Sequence, residues 1–277
     1  MGFTNATLLN MSARADGVLL QPSLPAVNVE AYFADRFPPQ GESVGMARIT
    51  SAPSFVPLGA PPPTLAAAPA YAYPLPAPHN ARSAAAAAVA AAAPGSSALF
   101  LSVFATFVGV PIPIAPIDLW PPLPVGGGVG GYFVTMLSRA SLCVDGAPAV
   151  ASGCASSYAA TNASAPILVV DTGPFDHEVY SVAPVLQGGW ALLGELGKFT
   201  RVAAGTRVVA LDTTDACGAG APSPFCVTLA GAAGERVEMA LVDAGGVVRL
   251  AAATLDAGGS GRIACSCPAG ACACTTA

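Results

Sequence analysis

The chain has 277 residues, of which 53% are hydrophobic and only 10% charged, with a formal net charge of −5. Lys198 is its single lysine, so no basic field exists to hold a phosphate backbone, and nucleic-acid binding is excluded. The 30 glycines and 27 prolines show no Gly-X-Y period, which excludes collagen, and the mean hydropathy of +0.61 owes much to alanine.

Residues Met1 to Asp16 lack a basic stretch followed by an apolar one, so no signal peptide is read there. Sequons at Asn5, Asn10 and Asn162, together with eight cysteines, weakly favour the secretory route. Residues 1–57 are of mixed composition and read as the end of an upstream domain or as first strands. Within them Gly41-Glu42-Ser43-Val44-Gly45 matches the nucleophile-elbow pattern, which requires a strand before the serine and a helix after it. Pro38-Pro39 precedes and the strand-like Met46 to Thr50 follows, so the hydrolase context is missing. The only histidines are His79 and His177.

Residues 58–96 are low in complexity: Pro61-Pro62-Pro63, then Tyr71 and Tyr73 among alanine and proline, then an alanine run from Ala84 to Ala93 broken only by Val89. A short helix ending at Pro94 and an exposed loop fit equally well, and the segment reads as an insertion.

From residue 97 to 264 the signal is β. Leu99 to Val108, Tyr132 to Leu137, Ile167 to Asp171, Glu178 to Val185, Trp190 to Leu193, Arg207 to Leu211, Phe225 to Leu229, Val237 to Val242, Val247 to Ala252 and Arg262 to Cys265 are short apolar runs. Gly, Pro, Asn or Asp clusters separate them, and no strand–helix alternation occurs, so an all-β, antiparallel β-sandwich is expected. Ala98 to Ile117 has the length of a bilayer span. Pro111, Pro113 and Pro116 would cost a lipid-exposed helix three backbone donors, so a buried strand and a Pro-rich loop are expected, with no membrane partner.

The remaining motifs are read mainly as structural. Gly126 to Gly131 contains G-x-G-x-x-G but follows Trp120 to Pro124 and precedes a strand, which makes it a turn and not a phosphate cradle. In Asp176-His177-Glu178 the two carboxylates share one strand face with the imidazole opposite; such a pair could serve acid/base chemistry, but charges of this kind are read first as edge charges that discourage strand pairing. Asp212 and Asp215 read as turn formers. Cys143/Cys154 and Cys217/Cys226 each bracket a small-residue loop, and a disulfide across each is expected. The tail, residues 265–277, carries Cys265, Cys267, Cys272 and Cys274 without the C-x2-C spacing or histidine of a zinc site, so disulfides or an irregular tail are expected ahead of a metal.

Two segments resemble raffinose synthases, seed imbibition proteins and related alkaline α-galactosidases. The first is Asp16-Gly17-Val18-Leu19-Leu20-Gln21-Pro22 with Pro25-Ala26 and Tyr32-Phe33-Ala34-Asp35, which resembles the stretch closing their catalytic barrel. The second, Glu178 to Val185 with Trp190-Ala191-Leu192-Leu193-Gly194 and Lys198-Phe199, is similar to the entry into their C-terminal β-sandwich. The resemblance implies a (β/α)8 barrel that supplies an aspartate nucleophile and an aspartate acid/base, followed by the sandwich. None of the family's active-site residues maps onto this chain.

The expectation is therefore a non-catalytic, C-terminal sandwich of a glycoside hydrolase-like protein acting on α-galactosides, with the barrel upstream and carbohydrate as a partner. Trp120 or Trp190 could border a sugar site, although core packing suits both better. No catalytic, cofactor-binding or metal residue and no cofactor is expected in this chain. The alternative is an extracellular cell-wall or matrix module, either carbohydrate-binding or structural.

Overall fold

The computed structural model describes residues 6–23, 27–28, 48–59, 97–107, 111–119, 123, 131–137, 143–158, 162–170, 176–213, 224–267 and 272–276. One short helix, α1 (Ala6–Ser12), precedes fifteen strands, and every named strand pairing is antiparallel. The fold is all-β and sandwich-like. Each of the ten apolar runs forms a strand within about two residues of its expected bounds, because β-branched and aromatic residues suit a pleated, half-buried surface.

The largest sheet has six strands in the order β1 (Val27–Asn28), β2 (Arg48–Pro57), β3 (Ser97–Phe107), β8 (Asp176–Pro184), β5 (Tyr132–Met136) and β6 (Ser156–Tyr158). Three strands, β13 (Val248–Thr254), β12 (Arg236–Val242) and β9 (Ala191–Glu195), form a second sheet. Four more, β10 (Val208–Asp212), β11 (Phe225–Ala230), β14 (Ser260–Ser266) and β15 (Ala273–Thr276), form a third. The remaining pair, β4 (Ile112–Ile114) and β7 (Leu168–Val170), is a two-stranded ribbon.

Alternation along the strands gives the six-stranded sheet two buried faces. On one face Phe100, Phe133 and Ala183 join the main core of Trp190, Leu192, Phe225, Val227, Met239, Leu241 and Ile263. On the other, Leu101, Val103, Val134, Tyr180 and Val182 meet Ile114, Leu168 and Val170 of the ribbon in a second core. The stretch from Ala98 to Ile117 thus supplies the central strand β3 and the ribbon strand β4. Among the described residues no helix is long and apolar enough to cross a membrane.

Arg48–Pro57 pairs with Ser97–Phe107 along its whole length, from Arg48↔Thr106 to Pro57↔Ser97, so residues 48–57 belong to the six-stranded sheet. Its partner on the other side, β1, reaches only Thr50 and Ser51, which leaves Pro53 on an unpaired edge where a missing N–H costs no ladder bond. Of the 58–96 insertion only Leu58 and Gly59 are described, continuing β2 towards β10 through the Gly59 N–H to the Leu211 carbonyl at 2.7 Å; the proline, tyrosine and alanine runs lie outside the described residues.

Cys143–Cys154 is bonded as expected, with Cα atoms 5.0 Å apart. Cys226 is also disulfide-bonded, and its expected partner Cys217 lies outside the described residues. In the tail Cys265–Cys274 ties β14 to β15 across directly opposed positions, and Cys267–Cys272 closes the connection between them. Bonding leaves these four sulfurs no thiolate for a metal.

Gly194 in β9 has φ +97°, and a Cβ there would sit 2.5 Å from the Arg201 carbonyl oxygen. Gly194→Ala is therefore expected to lower unfolding free energy by at least about 2 kcal/mol, through positive-φ strain and a backbone clash together. Urea unfolding followed by circular dichroism measures it, and a change within about 0.5 kcal/mol, the range of an ordinary surface substitution, would contradict the packing.

Candidate functional site

With so few charged residues, those found inside the β-structure mark its joints. Arg207 is wholly buried just before β10 and uses all five of its N–H donors. Nε and Nη2 reach Glu195 at 2.7 and 3.4 Å, while Nη1 and Nη2 reach Glu235 at 3.1 and 2.6 Å. The second Nη1 donor meets the Ala230 carbonyl at 3.0 Å. Glu195 ends β9, Glu235 sits in the turn before β12 and Ala230 ends β11, so one guanidinium joins two sheets. Gly231 leaves the space: a Cβ there would collide with the Arg207 Nη1 and the Glu235 carboxylate.

The same cluster fastens the N-terminal arm, residues 6–20. The Ala15 N–H donates to Glu235 at 3.1 Å, and Arg14, paired with Asp16, donates to the Thr206 carbonyl at 2.8 Å. Lys198 donates to the Asn10 carbonyl and, at 2.7 Å, to the Ala13 carbonyl, so the single lysine satisfies orphan acceptors at the C-terminal end of α1. The Phe199 N–H adds a bond to the Met11 carbonyl at 3.0 Å. On its outer side the arm exposes Leu8, Leu9, Val18 and Leu19.

The two carboxylates diverge in acidity. Burial pushes Glu235 up, but hydrogen bonds from Arg207, Ala232 and Ala15 outweigh it and bring its pKa down to about 2. Burial dominates at Glu195 and raises its pKa above the usual carboxylate value, against the opposing charges of Arg207 and Lys198. Retaining glycosidases need two carboxyls roughly 5–5.5 Å apart across a sugar. Here the space between Glu195 and Glu235 is filled by the guanidinium, and both acids are locked to it.

A second arrangement lies on the far face of the six-stranded sheet. An open pocket of about 140 Å³ is lined by Val134 and Met136 of β5, Ser156 and Tyr158 of β6, Tyr180 of β8, and Leu168 and Val169 of β7. The Tyr180 hydroxyl donates to Glu178 two residues earlier on the same strand face. Tyr132, opposite Tyr158 in the ladder, is buried, and desolvation raises its phenol pKa well above the usual value.

The sequence motifs fall as follows. Asp176-His177-Glu178 pairs with Phe107 to Ala105 of β3, so these charges do not interrupt the ladder as expected of edge charges; His177 is exposed, and Glu178 stands beside this pocket and accepts from Tyr180. Trp190 is buried and stacked on Phe225, with ring centroids 5.5 Å apart, and so packs the core without bordering a sugar site. Asp212 is buried at the end of β10. Ser43, His79, Trp120, Gly126 to Gly130 and Asp215 lie outside the described residues. Among the described residues no cluster of three or more His, Cys, Asp or Glu could hold a metal. Sequence reading missed Arg207, Glu195, Glu235, Tyr158 and Tyr180. The available signal was charge rarity: Glu195 closes the apolar run Ala191-Leu192-Leu193, and Arg207 opens another. No family model matches the chain, and no curated protein or solved structure matches it either.

Arg207→Met removes the cation from buried Glu195 and from half-buried Glu235, which keeps only the Ala15 and Ala232 N–H groups, and is expected to cost about 3–5 kcal/mol in urea unfolding. A cost below about 1 kcal/mol, the scale of a surface pair, would show that the cluster is not desolvated as described.

Acid should act on the arm through Glu235, whose pKa is depressed in the folded chain. Its contribution is complete above the unfolded value near 4.5 and fades as pH falls towards about 2. Glu195, shifted the other way, partly offsets this in global stability, so the readout is local. The hydrogen-exchange protection of residues 6–20, taken relative to the intrinsic rate at each pH, should fall across that interval in the wild type, and should already be low at neutral pH in Glu235→Gln.

Proposed function

We propose that this chain is the non-catalytic β-sandwich part of a glycoside hydrolase-like protein acting on α-galactosides, with the catalytic barrel upstream. One observation carries the reading. The described part of the first resembling segment, Asp16 to Pro22, continues directly from residues 10–13, and these are held on the sandwich by Lys198 and Phe199, which end the second segment. A stretch that leaves a barrel and is clamped to the sandwich by buried charges fixes the orientation of one domain on the other. The apolar outer side of the arm, Leu8, Leu9, Val18 and Leu19, suits contact with such a domain.

The commitment of the buried acids supports a non-catalytic role. Glu195 and Glu235 are held by Arg207, and Asp243 is buried against Arg249 at 2.9 Å. A second reading, an extracellular cell-wall or matrix module, draws support from the Cys143–Cys154, Cys265–Cys274 and Cys267–Cys272 disulfides and from bonded Cys226, which suit an oxidising compartment.

The purified chain is expected to leave p-nitrophenyl α-galactoside intact, and its full-length transcript is expected to encode an in-frame barrel with two catalytic aspartates ahead of the arm. Turnover by the sequence-verified chain, or a transcript without a barrel, overturns the proposal; a signal peptide directly before Met1 would favour the extracellular module.

A further inference from the structure

We infer that the pocket between the β5–β6 edge and the β4–β7 ribbon binds one neutral, hydroxylated six-membered ring, a single sugar unit. The inference takes its ligand class from the carbohydrate reading above and from the chemistry of the pocket wall. Its volume of about 140 Å³ matches the cavity size, about 150 Å³, known to hold one benzene ring. A second ring would have to extend into solvent.

The wall is two-sided in character. Val134, Met136 and Leu168 are apolar, and Tyr158 and Tyr180 bring phenol rings, the kind of side chain on which the C–H face of a sugar ring stacks. Ser156 and Tyr158 add hydroxyls on the same sheet face, since alternate residues of β6 point the same way. Beside them the Tyr180 hydroxyl donates to Glu178, which places a carboxylate next to the pocket. Among the described residues that line the pocket none is a cation, and a carboxylate stands next to it, which suits a neutral ligand better than an anion. An apolar face combined with donating hydroxyls describes a pyranose.

The site is also braced. Cys154, which borders the pocket immediately before β6, is bonded to Cys143, and buried Tyr132 lies opposite Tyr158 in the ladder. A pre-formed wall lowers the ordering cost of binding, which matters for a ligand with few contacts. Tyr158 is the half-exposed aromatic of the pair and Tyr180 the buried one, so stacking falls to Tyr158.

Saturation-transfer NMR on the full chain with methyl α-D-galactopyranoside tests the assignment, with phenol as the apolar ring of similar size. Transfer to the sugar ring protons is expected in the wild type and its loss in Tyr158→Ala. Ser156→Ala, a small change on an edge strand that leaves the core untouched, should weaken binding roughly three- to tenfold, the scale of one neutral hydrogen bond. No transfer to the sugar, transfer unchanged in both variants, or phenol binding without sugar binding would overturn the inference. The outcome separates from that of the previous section. Sugar binding in a protein whose transcript lacks a barrel keeps the pocket and sinks the hydrolase reading; a barrel found upstream with no sugar transfer does the reverse.

Discussion

A guanidinium taken out of water loses the acceptors that water gave its five N–H groups, and Arg207 replaces all five from three separate elements. Glu195 from β9, Glu235 from the turn before β12 and the Ala230 carbonyl from β11 meet at this one side chain. The three- and four-stranded sheets are thereby held in one relative position, and the arm is then hung on Glu235 through Ala15. Replacing such a network by apolar side chains of similar volume is often neutral or stabilising, whereas removing one member is costly. Its physical contribution is therefore best described as geometry. Apolar packing permits many slightly different arrangements of two sheets, but five directed hydrogen bonds permit few. Gly231 and its lack of a Cβ are part of the same constraint, since the guanidinium occupies the space a side chain would take.

The six-stranded sheet divides the molecule by chemistry. On the side facing the main core, hydroxyl-bearing Ser102, Ser181 and Thr135 lie in register across β3, β8 and β5 and are all buried. Arg201, only 1% exposed, donates there to Thr135 and to the Met136 carbonyl, and its Nε has no partner. Burial lowers its pKa to about 10, still well above neutrality, so the charge is retained inside the core. The other side is more apolar except around the pocket, where Ser156 and Tyr158 of β6 line the wall and Glu178 of β8 is bonded by Tyr180.

Much of the fold was legible because sandwich strands are short apolar runs separated by turn residues, and the ten runs from residue 97 onward behave in that way. Only the start of β2 was legible, in the strand-like Met46 to Thr50: the rest of Arg48–Pro57 carries two prolines and two serines, a composition tolerated because, among the described residues, most of the strand has a single neighbour in the ladder. β6 and β15 are set by tertiary context, being edge strands beside disulfides with little apolar content of their own. The Cys143–Cys154 pairing was readable from loop closure alone. The charged cluster was not, because Glu195, Arg207 and Glu235 are separated by up to 40 positions and nothing local marks one as the partner of another. The pocket was invisible for a related reason. Tyr158 and Tyr180 belong to strands that are not themselves hydrogen-bonded, with β5 between them, and only the strand order brings both rings to one face.

That strand order also decides whether the arm and the pocket influence one another. A continuous path exists: the Glu195 N–H donates to the Arg201 carbonyl at 2.9 Å, and the Arg201 guanidinium reaches Met136, which lines the pocket. Contiguity alone transmits nothing, since coupling requires an element with two arrangements that both sites can bias. Arg201 is a poor candidate for one. It is fully buried, its backbone lies against Gly194 so closely that no Cβ fits between them, and its guanidinium is held on both terminal nitrogens. Each site is moreover secured by different physics, the arm by charges whose balance depends on pH and the pocket wall by a covalent bond between Cys143 and Cys154. Protonation of Glu235 loosens the arm without touching any residue that lines the pocket. The rigid core between them keeps the two places independent, so a change at the arm leaves the pocket wall as it is.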